Sequence, residues 1–281
     1  MITPRTDHLI DLALEEDLSL GDLTSRAIFP PRHRSRAVIE ARASLVICGL
    51  EVAARVLTRV DPALRVRPLV ADGARVRSRQ PVLRVAGPTA SLLAAERTAL
   101  NFLQRLSGIA TLSAAYAAAV AGTGVRVVDT RKTIPGWRAL EKAAVRCGGC
   151  CNHRSSLGEH VLIKDNHIAA AGSIGRAVAA ARAAAPHVAR VEVEAGSLAQ
   201  VRAAVTAGAE VILLDNLTPT QVAAAVRLIA GRARVEVSGG ITLGNVREYA
   251  LPGVDVISVG ALTHSVPAAD LSLEIIEAEP G

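Results

Sequence analysis

The stretch VEVEAGSLAQVRAAVTAGAEVILLD, residues 191–215, decides the fold. Val191–Val193 and Val211–Leu214 are short, β-branched, strand-like runs, and the alanine-rich Ser197–Ala207 between them reads as a helix. The same alternation continues on both sides. Further strand-like runs lie at Val125–Val128, Val161–Ile163, Val235–Val237 and Val256–Val259, with helical segments at Ser173–Ala185, Thr220–Ala230 and Leu243–Ala250. Strands alternating with helices build a parallel sheet, and strands this continuously apolar belong to a sheet buried on both faces. Six such units fall short of an eight-stranded closed barrel. The predicted fold class is therefore α/β with an incomplete parallel barrel; an open doubly wound sheet is the alternative.

Upstream the texture differs. Arg36–Ala41 alternates as a strand, Glu51–Val60 reads as an amphipathic helix, and Val82–Val85 is a strand closed by Gly87-Pro88. Asp72-Gly73 signals a turn. Glu15-Glu16-Asp17 ends a helix before the polar loop from Leu20 to Ser25, and Ala90 to about Ala121 turns helical. We expect an amino-terminal α/β domain over residues 1–110 and the barrel over 111–265.

The 281 residues carry 32 basic and 26 acidic side chains, a net charge of +6, and are 50% hydrophobic, which excludes a disordered chain. Aromatic residues make up only 2%, so platforms for stacking nucleic-acid bases are nearly absent. No signal peptide is visible at the amino terminus. The uncharged run Leu106–Val125 has the length of a membrane span, but its glycines and alanines fit a buried helix better. A soluble, cytoplasmic protein is expected.

The polar residues follow the strands. After the first comes Asp129-Thr130-Arg131-Lys132, and after the second Lys164-Asp165-Asn166-His167. The third carries Glu192 and Glu194, two residues apart and so on one face. Asp215-Asn216, Ser238-Gly239-Gly240 and Gly260 complete the series. In parallel α/β folds these ends open onto one rim, where ligands bind. Cations, carboxylates and glycines together on that rim point to an anionic ligand with a metal. Ser238-Gly239-Gly240 and Gly260-Ala261-Leu262 each read as opening a helix, where bare amides cradle phosphate; tight turns are the ordinary explanation for either alone. The basic residues Arg131, Lys132, Arg138, Lys142, Arg146, His153 and Arg154 form a second cluster suited to carboxylates.

Four cysteines, Cys48, Cys147, Cys150 and Cys151, are too few for a disulfide scaffold. Cys147-Gly-Gly-Cys150-Cys151-Asn-His153 has a spacing zinc could use, but no second pair completes a tetrahedron.

The string Asp129-Thr-Arg131-Lys132-Thr-Ile-Pro135-Gly136, with Glu141-Lys142-Ala-Ala-Val-Arg146, Asn152-His153-Arg154 and Leu162-Ile163-Lys164-Asp165-Asn166-His167, closely resembles the quinolinate phosphoribosyltransferases. Glu96-Arg97-Thr98, Leu214-Asp215-Asn216, Ser238-Gly239-Gly240 and Val259-Gly260-Ala261 continue the match. The resemblance implies an amino-terminal α/β sandwich joined to an incomplete barrel, with residues 266–281 returning to the first domain, in a homodimer or a higher oligomer with shared sites. It implies condensation of quinolinate with phosphoribosyl pyrophosphate, with magnesium, to give nicotinate mononucleotide, pyrophosphate and carbon dioxide. By the same resemblance Arg131, His153, Arg154 and Lys164 hold quinolinate, and Arg97 reaches in from the partner subunit. Lys132, Glu194 and Asp215 hold the pyrophosphate, ribose and metal, and Ser238, Gly239, Gly240, Gly260 and Ala261 take the 5-phosphate. Lys132, Lys164, Glu194 and Asp215 are the expected catalytic set. Neither nucleic acid nor membrane is expected as a partner.

Two departures from the family pattern stand beside the quinolinate pocket. Cys150-Cys151 occupies part of a stretch where glycines are usual, and Ser155-Ser156 replaces an apolar residue and glycine. A cysteine at a position needing positive φ would be strained. Alternatives are a paralogue of the type associated with molybdenum transport, an aldolase using Lys164 as a Schiff-base lysine, and a phosphate-binding module without activity.

Overall fold

The computed structural model describes residues 1–279; Pro280 and Gly281, the end of the segment expected to return to the first domain, lie outside the described residues. In chain order the elements are α1 (Pro4–Leu18), α2 (Leu23–Ile28), β1 (Arg34–Ala41), β2 (Leu45–Val46), α3 (Leu50–Val60), β3 (Arg65–Pro68), β4 (Arg75–Val76), β5 (Pro81–Pro88) and α4 (Thr89–Ala119). There follow β6 (Arg126–Val128), α5 (Arg138–Cys147), β7 (Val161–Ile163), α6 (Asp165–Ala171), α7 (Ile174–Ala184), β8 (Val191–Ala195), α8 (Leu198–Thr206), β9 (Val211–Asp215) and α9 (Pro219–Ile229). The last are β10 (Arg234–Ser238), α10 (Val246–Tyr249), β11 (Val256–Ser258), α11 (Ala261–His264) and β12 (Leu271–Glu279).

Two compact units divide the chain. The first comprises Met1–Ala114, Ile134–Gly149 and Val266–Gly281. Its four-stranded antiparallel sheet has the order β12-β1-β5-β3, so the last strand of the chain pairs with the first. Ile39, Leu83 and Val85 point from this sheet into a core shared with Val56 and Leu57 of α3 and Leu92, Leu103 and Leu106 of α4, all fully buried. α5 belongs to this unit and is tied to α4 by a buried ion pair. The Glu141 carboxylate accepts Arg105 Nη2 at 2.6 Å and Nε at 3.1 Å, and Trp137 stacks on Phe102 with centroids 4.6 Å apart.

The second unit, Ala115–Thr133 with Cys150–Ser265, holds the six-stranded parallel sheet. Its order, β7-β8-β9-β10-β11-β6, settles the choice left open above. Each strand neighbours the next in sequence, and the first takes the place after the last. A doubly wound sheet would reverse direction at its middle; winding one way only is how a barrel is built. β6 and β7 are not paired with each other, so the barrel is open. The edge of β6 is instead covered by Cys151, which bridges Val128 in parallel and donates its N–H to Val127 O at 2.9 Å. β8, β9 and β10 are buried on both faces along their middles, as their apolar runs require.

One carboxyl-terminal helix is shorter than expected. The predicted helix over 243–250 is only α10, because a turn through Thr242 to Asn245 precedes it. Among the described residues no helix is long and apolar enough to cross a membrane.

Candidate active site

A cavity of about 240 Å³ opens at the carboxyl ends of the second unit's strands, and every strand of the sheet supplies a polar side chain to it or to the loop that follows. Arg131 and Lys132 follow β6, and Lys164 follows β7. Glu194 comes from β8, Asp215 ends β9, Ser238 ends β10 and Ser258 ends β11; His153 and Arg154 come from the segment that bridges the open edge. A larger cavity, about 620 Å³, opens at the amino ends of the same strands and shares His153, Arg154 and Glu236 with the first.

The Asn152–Arg154 segment is fixed from below. Asp129, fully buried after β6, accepts the His153 backbone N–H at 2.9 Å and Asn152 Nδ2 at 2.5 Å. His153 Nδ1 lies 2.8 Å from the Arg154 backbone nitrogen, which leaves Nε2 facing two buried carboxylates, Glu236 Oε1 at 3.3 Å and Glu192 Oε2 at 3.6 Å. His160 Nε2 lies 3.1 Å from the same Glu192 oxygen. Burial disfavours a charged His153 ring, but the carboxylates of Glu192 and Glu236 outweigh it and raise its pKa to about 9. Burial likewise works against a charged Glu192, and the two imidazoles reverse that, lowering it to about 2. Arg154 is itself buried, donates Nη1 to His160 O at 3.1 Å, and is pulled down by burial and by the neighbouring Arg131.

The cavity also carries Lys164, Glu194 and Asp215. Lys164 is held at the end of β7 by donating its backbone N–H to His167 Nδ1 at 3.0 Å, and its Nζ pairs with Glu194. Asp215 Oδ2 accepts Asn216 Nδ2 at 2.6 Å. Asn216 takes φ +55°, a left-handed turn that brings its side chain against Gly239; a Cβ at Gly239 would stand 2.2 Å from Asn216 Oδ1. Gly239 and Gly240 have φ of +89° and +64°, so the Ser238-Gly239-Gly240 stretch makes a tight loop. It does not open a helix as expected, since α10 begins only at Val246. Gly260 does lead straight into α11, with Lys132 Cδ only 3.2 Å from the position a Cβ would take. Thr263 Oγ1 donates to Lys132 O at 2.8 Å, fixing the Lys132 backbone beside that turn.

Residues 22–107 match the family model described as quinolinate phosphoribosyl transferase, N-terminal domain, and residues 109–274 match the corresponding C-terminal domain. A nicotinate-nucleotide pyrophosphorylase [carboxylating] of Mycobacterium leprae is 46% identical over 269 residues, covering 94% of each chain. The chain belongs to the quinolinate phosphoribosyltransferase family. A human member named nicotinate-nucleotide pyrophosphorylase [carboxylating] is 38% identical over 276 residues, 96% of this chain and 92% of that one. The crystal structure of NadC from Streptococcus pyogenes superposes with a TM-score of 0.93 at 42% identity, covering 99% of both chains.

Set against this family, the structure collects Arg131, Lys132, His153, Arg154, Lys164, Glu194, Asp215 and Ser238 around one cavity. Gly239 and Gly240 continue the loop from Ser238, and Gly260 and Ala261 follow β11. Arg97 lies exposed on α4 in the first unit. The basic cluster read from sequence divides: Arg138, Lys142 and Arg146 lie on α5 in the first unit, and the other four cations line the cavity. Cys150 and Cys151 are unstrained, because the left-handed residue of that stretch is Gly149, with φ +91°. Asp129, His160 and Glu236 were not singled out as site residues. A signal for Glu236 was present in the repeated Val-Glu-Val of Val191–Val193 and Val235–Val237, where the charge stands alone between buried neighbours.

Proposed function

We propose that this chain transfers the phosphoribosyl group of phosphoribosyl pyrophosphate to the ring nitrogen of quinolinate with loss of the adjacent carboxylate. The products are nicotinate mononucleotide, pyrophosphate and carbon dioxide, which makes it a decarboxylating pentosyltransferase of pyridine nucleotide synthesis. One observation carries the reading: Arg131, Arg154 and Lys164 line a single cavity of about 240 Å³ together with Glu194 and Asp215. A dicarboxylate needs several fixed cations, and arginine forks bind carboxylates in a bidentate way. The relatives' names agree with this activity.

In this reading Arg131, His153, Arg154 and Lys164 bind and orient the two quinolinate carboxylates. Lys132 neutralises pyrophosphate, and the Ser238–Gly240 and Gly260-Ala261 turns take the 5-phosphate on backbone amides. Departure of pyrophosphate leaves positive charge on the ribose, which carboxylates on that face stabilise. Bonding at the ring nitrogen makes the ring an electron sink, so the neighbouring carboxylate leaves as carbon dioxide and the ring carbon takes a proton. The protein's part in that step is to hold the ring and keep water out. Glu194 and Asp215 supply hard carboxylate oxygens on one cavity, a donor set that suits magnesium. Bound there, the ion would neutralise charge on the pyrophosphate as it leaves.

The same reading makes the working unit a cytoplasmic homodimer in which Arg97 of the partner subunit completes the quinolinate site; the exposure of Arg97 on α4 supports it. The test is an assay of purified protein with quinolinate, phosphoribosyl pyrophosphate and magnesium, following nicotinate mononucleotide, with nicotinate in parallel. Product from quinolinate alone, lost in a folded Arg154→Ala variant, is the expected result. Folded protein giving no product, or product from nicotinate, would overturn it in favour of another substrate on the same scaffold.

A further inference from the structure

The adjacent pair Cys150-Cys151 draws attention in the sequence, but the structure brings a different pair together. The sulfurs of Cys48 and Cys147 and a carboxylate oxygen of Asp72 lie within 4.8 Å of one another, all in the first unit. Both cysteines are free thiols.

Each sulfur is held on a rigid frame. Cys48 sits between β2 and α3, where Ser107 Oγ of α4 accepts its N–H at 3.0 Å and donates to its carbonyl at 3.2 Å. Cys147 is the last residue of α5, and the following Gly148 is pressed so closely on α4 that a Cβ there would stand 2.3 Å from Ala110 O. Asp72 is fixed by accepting the Gly49 and Leu50 N–H groups at 3.0 and 3.1 Å. One helix, α4, therefore anchors both thiol-bearing segments. The two sulfurs also differ in access, since Cys48 is fully buried and Cys147 is half-buried.

Their acidities separate in the same sense. A hydrogen bond with Cys147, then burial, raises Cys48, whereas the same hydrogen bond lowers Cys147. The reachable sulfur is thus the one inclined to the thiolate, which is the attacking form. Cys150, by contrast, is buried and pushed up to about 12, chiefly by desolvation.

We propose that Cys48 and Cys147 form a dithiol–disulfide pair that reacts with small-molecule disulfides, Cys147 attacking and Cys48 resolving. The Cys147 thiolate attacks one sulfur of the small disulfide and expels the other as a thiolate, leaving a mixed disulfide on Cys147. Cys48 then gives up its proton to the expelled thiolate and attacks Cys147 Sγ, releasing the second small thiolate, which takes up the proton Cys147 shed. Two protein thiols are oxidised to one disulfide, and one small disulfide is reduced to two thiols. The cluster suits this better than a structural metal. It offers three donors where closed zinc sites use four, and the Asp72 carboxylate already caps α3.

The test treats the whole folded protein with oxidised glutathione, blocks remaining thiols by alkylation, and maps linkages by mass spectrometry without reduction. The expected product is a Cys48–Cys147 cross-link with Cys150 and Cys151 recovered as alkylated thiols. Cys48→Ser and Cys48→Ala variants should both stop at a stable glutathione adduct on Cys147, and Cys147→Ser should form neither adduct nor cross-link at this pair. A cross-link through Cys150 or Cys151, or no reaction of Cys147 in protein with a native circular dichroism spectrum, would overturn the proposal. So would stoichiometric zinc in the purified protein that is lost in Cys147→Ser.

Discussion

Glu236 Oε1 lies 3.3 Å from His153 Nε2, and Glu236 is only 4% exposed. A carboxylate buried to that extent at a barrel strand's inward position is costly unless paired. Here it is shared with Glu192 around one imidazole, and that imidazole's other nitrogen lies 2.8 Å from the backbone nitrogen of Arg154. The buried charges beneath the cavity thereby set the position of a cation lining it.

The pairing makes stability depend on pH in a definite direction. The folded pKa of His153, about 9, lies above its ordinary value of 6.5. Its contribution is therefore fully present below pH 6.5 and is lost as pH rises through about 9. Urea unfolding should find Glu236→Gln less stable than wild type by roughly 2 kcal/mol on the acid side of that window, about half of what the His153 shift is worth. The difference should shrink above it. A gap that stays constant across the window would show that Glu236 acts by packing alone.

Much of this was legible in the sequence, and the reasons differ by element. The six strands were readable because a sheet buried on both faces demands unbroken apolar runs, and Val211–Leu214 can hardly be anything else. Their winding was legible only as a choice between an open barrel and a doubly wound sheet, because order in a sheet is a matter of which helix covers which face; the open barrel is the one found. Arg131 and Lys164 were legible since they directly follow strands. Asp129 and Glu236 were not singled out, as their roles rest on partners 24 residues away, in the His153 backbone N–H, and far upstream, in the His153 ring. The loop after β10 reads in sequence as a helix start because Gly239 and Gly240 serve equally for tight turns; the crowding by Asn216 that demands glycine there is purely three-dimensional.

That crowding yields a second expectation. Gly239→Ala combines a left-handed φ of +89° with a Cβ 2.2 Å from Asn216 Oδ1. It should cost about 2 kcal/mol or more in thermal or urea unfolding. It should also raise the KM for phosphoribosyl pyrophosphate more than that for quinolinate. Gly240→Ala, with open space around the site of its Cβ, should be milder. Equal penalties for the two would show that backbone strain, not the Asn216 contact, controls this turn.

In the first unit the Arg105–Glu141 pair carries the largest expected penalty. Glu141 is fully buried, and its second oxygen accepts the Ile134 N–H at 3.2 Å. Glu141→Ala leaves Arg105 without its main counter-ion in a poorly solvated place, a loss of about 3–5 kcal/mol. The Arg105→Met, Glu141→Leu double variant should recover part of it. Should the double variant be no better than the single one, the pair's role is positional and not electrostatic.

Magnesium gives a further expectation. Chelation should abolish nicotinate mononucleotide formation, and added magnesium should restore it. Glu194→Gln and Asp215→Asn should each shift the magnesium requirement upward while leaving the fold intact, since neither is among the buried residues and each removes one hard oxygen donor. Glu194→Gln also frees Lys164 from its ion pair, so its effect should exceed that of Asp215→Asn. Unchanged magnesium dependence in both variants would place the ion elsewhere.

The proposed sharing of Arg97 can be decided by mixing inactive variants. Arg97→Ala and Arg154→Ala homodimers should each be nearly inactive, every site in them lacking one quinolinate cation. In a mixed dimer, the subunit bearing Arg97→Ala keeps its own Arg154 and receives Arg97 of the partner subunit, so its site is whole. The other site lacks both. Random exchange makes about half of all dimers mixed, and one site in two works in each, so activity should recover to about a quarter of wild type. If Arg97 served its own subunit's site, the mixture would stay as inactive as its parts; an active Arg97→Ala homodimer would place Arg97 outside the site. Recovery with subunit exchange, and none when exchange is blocked by chemical cross-linking before mixing, is the expected outcome.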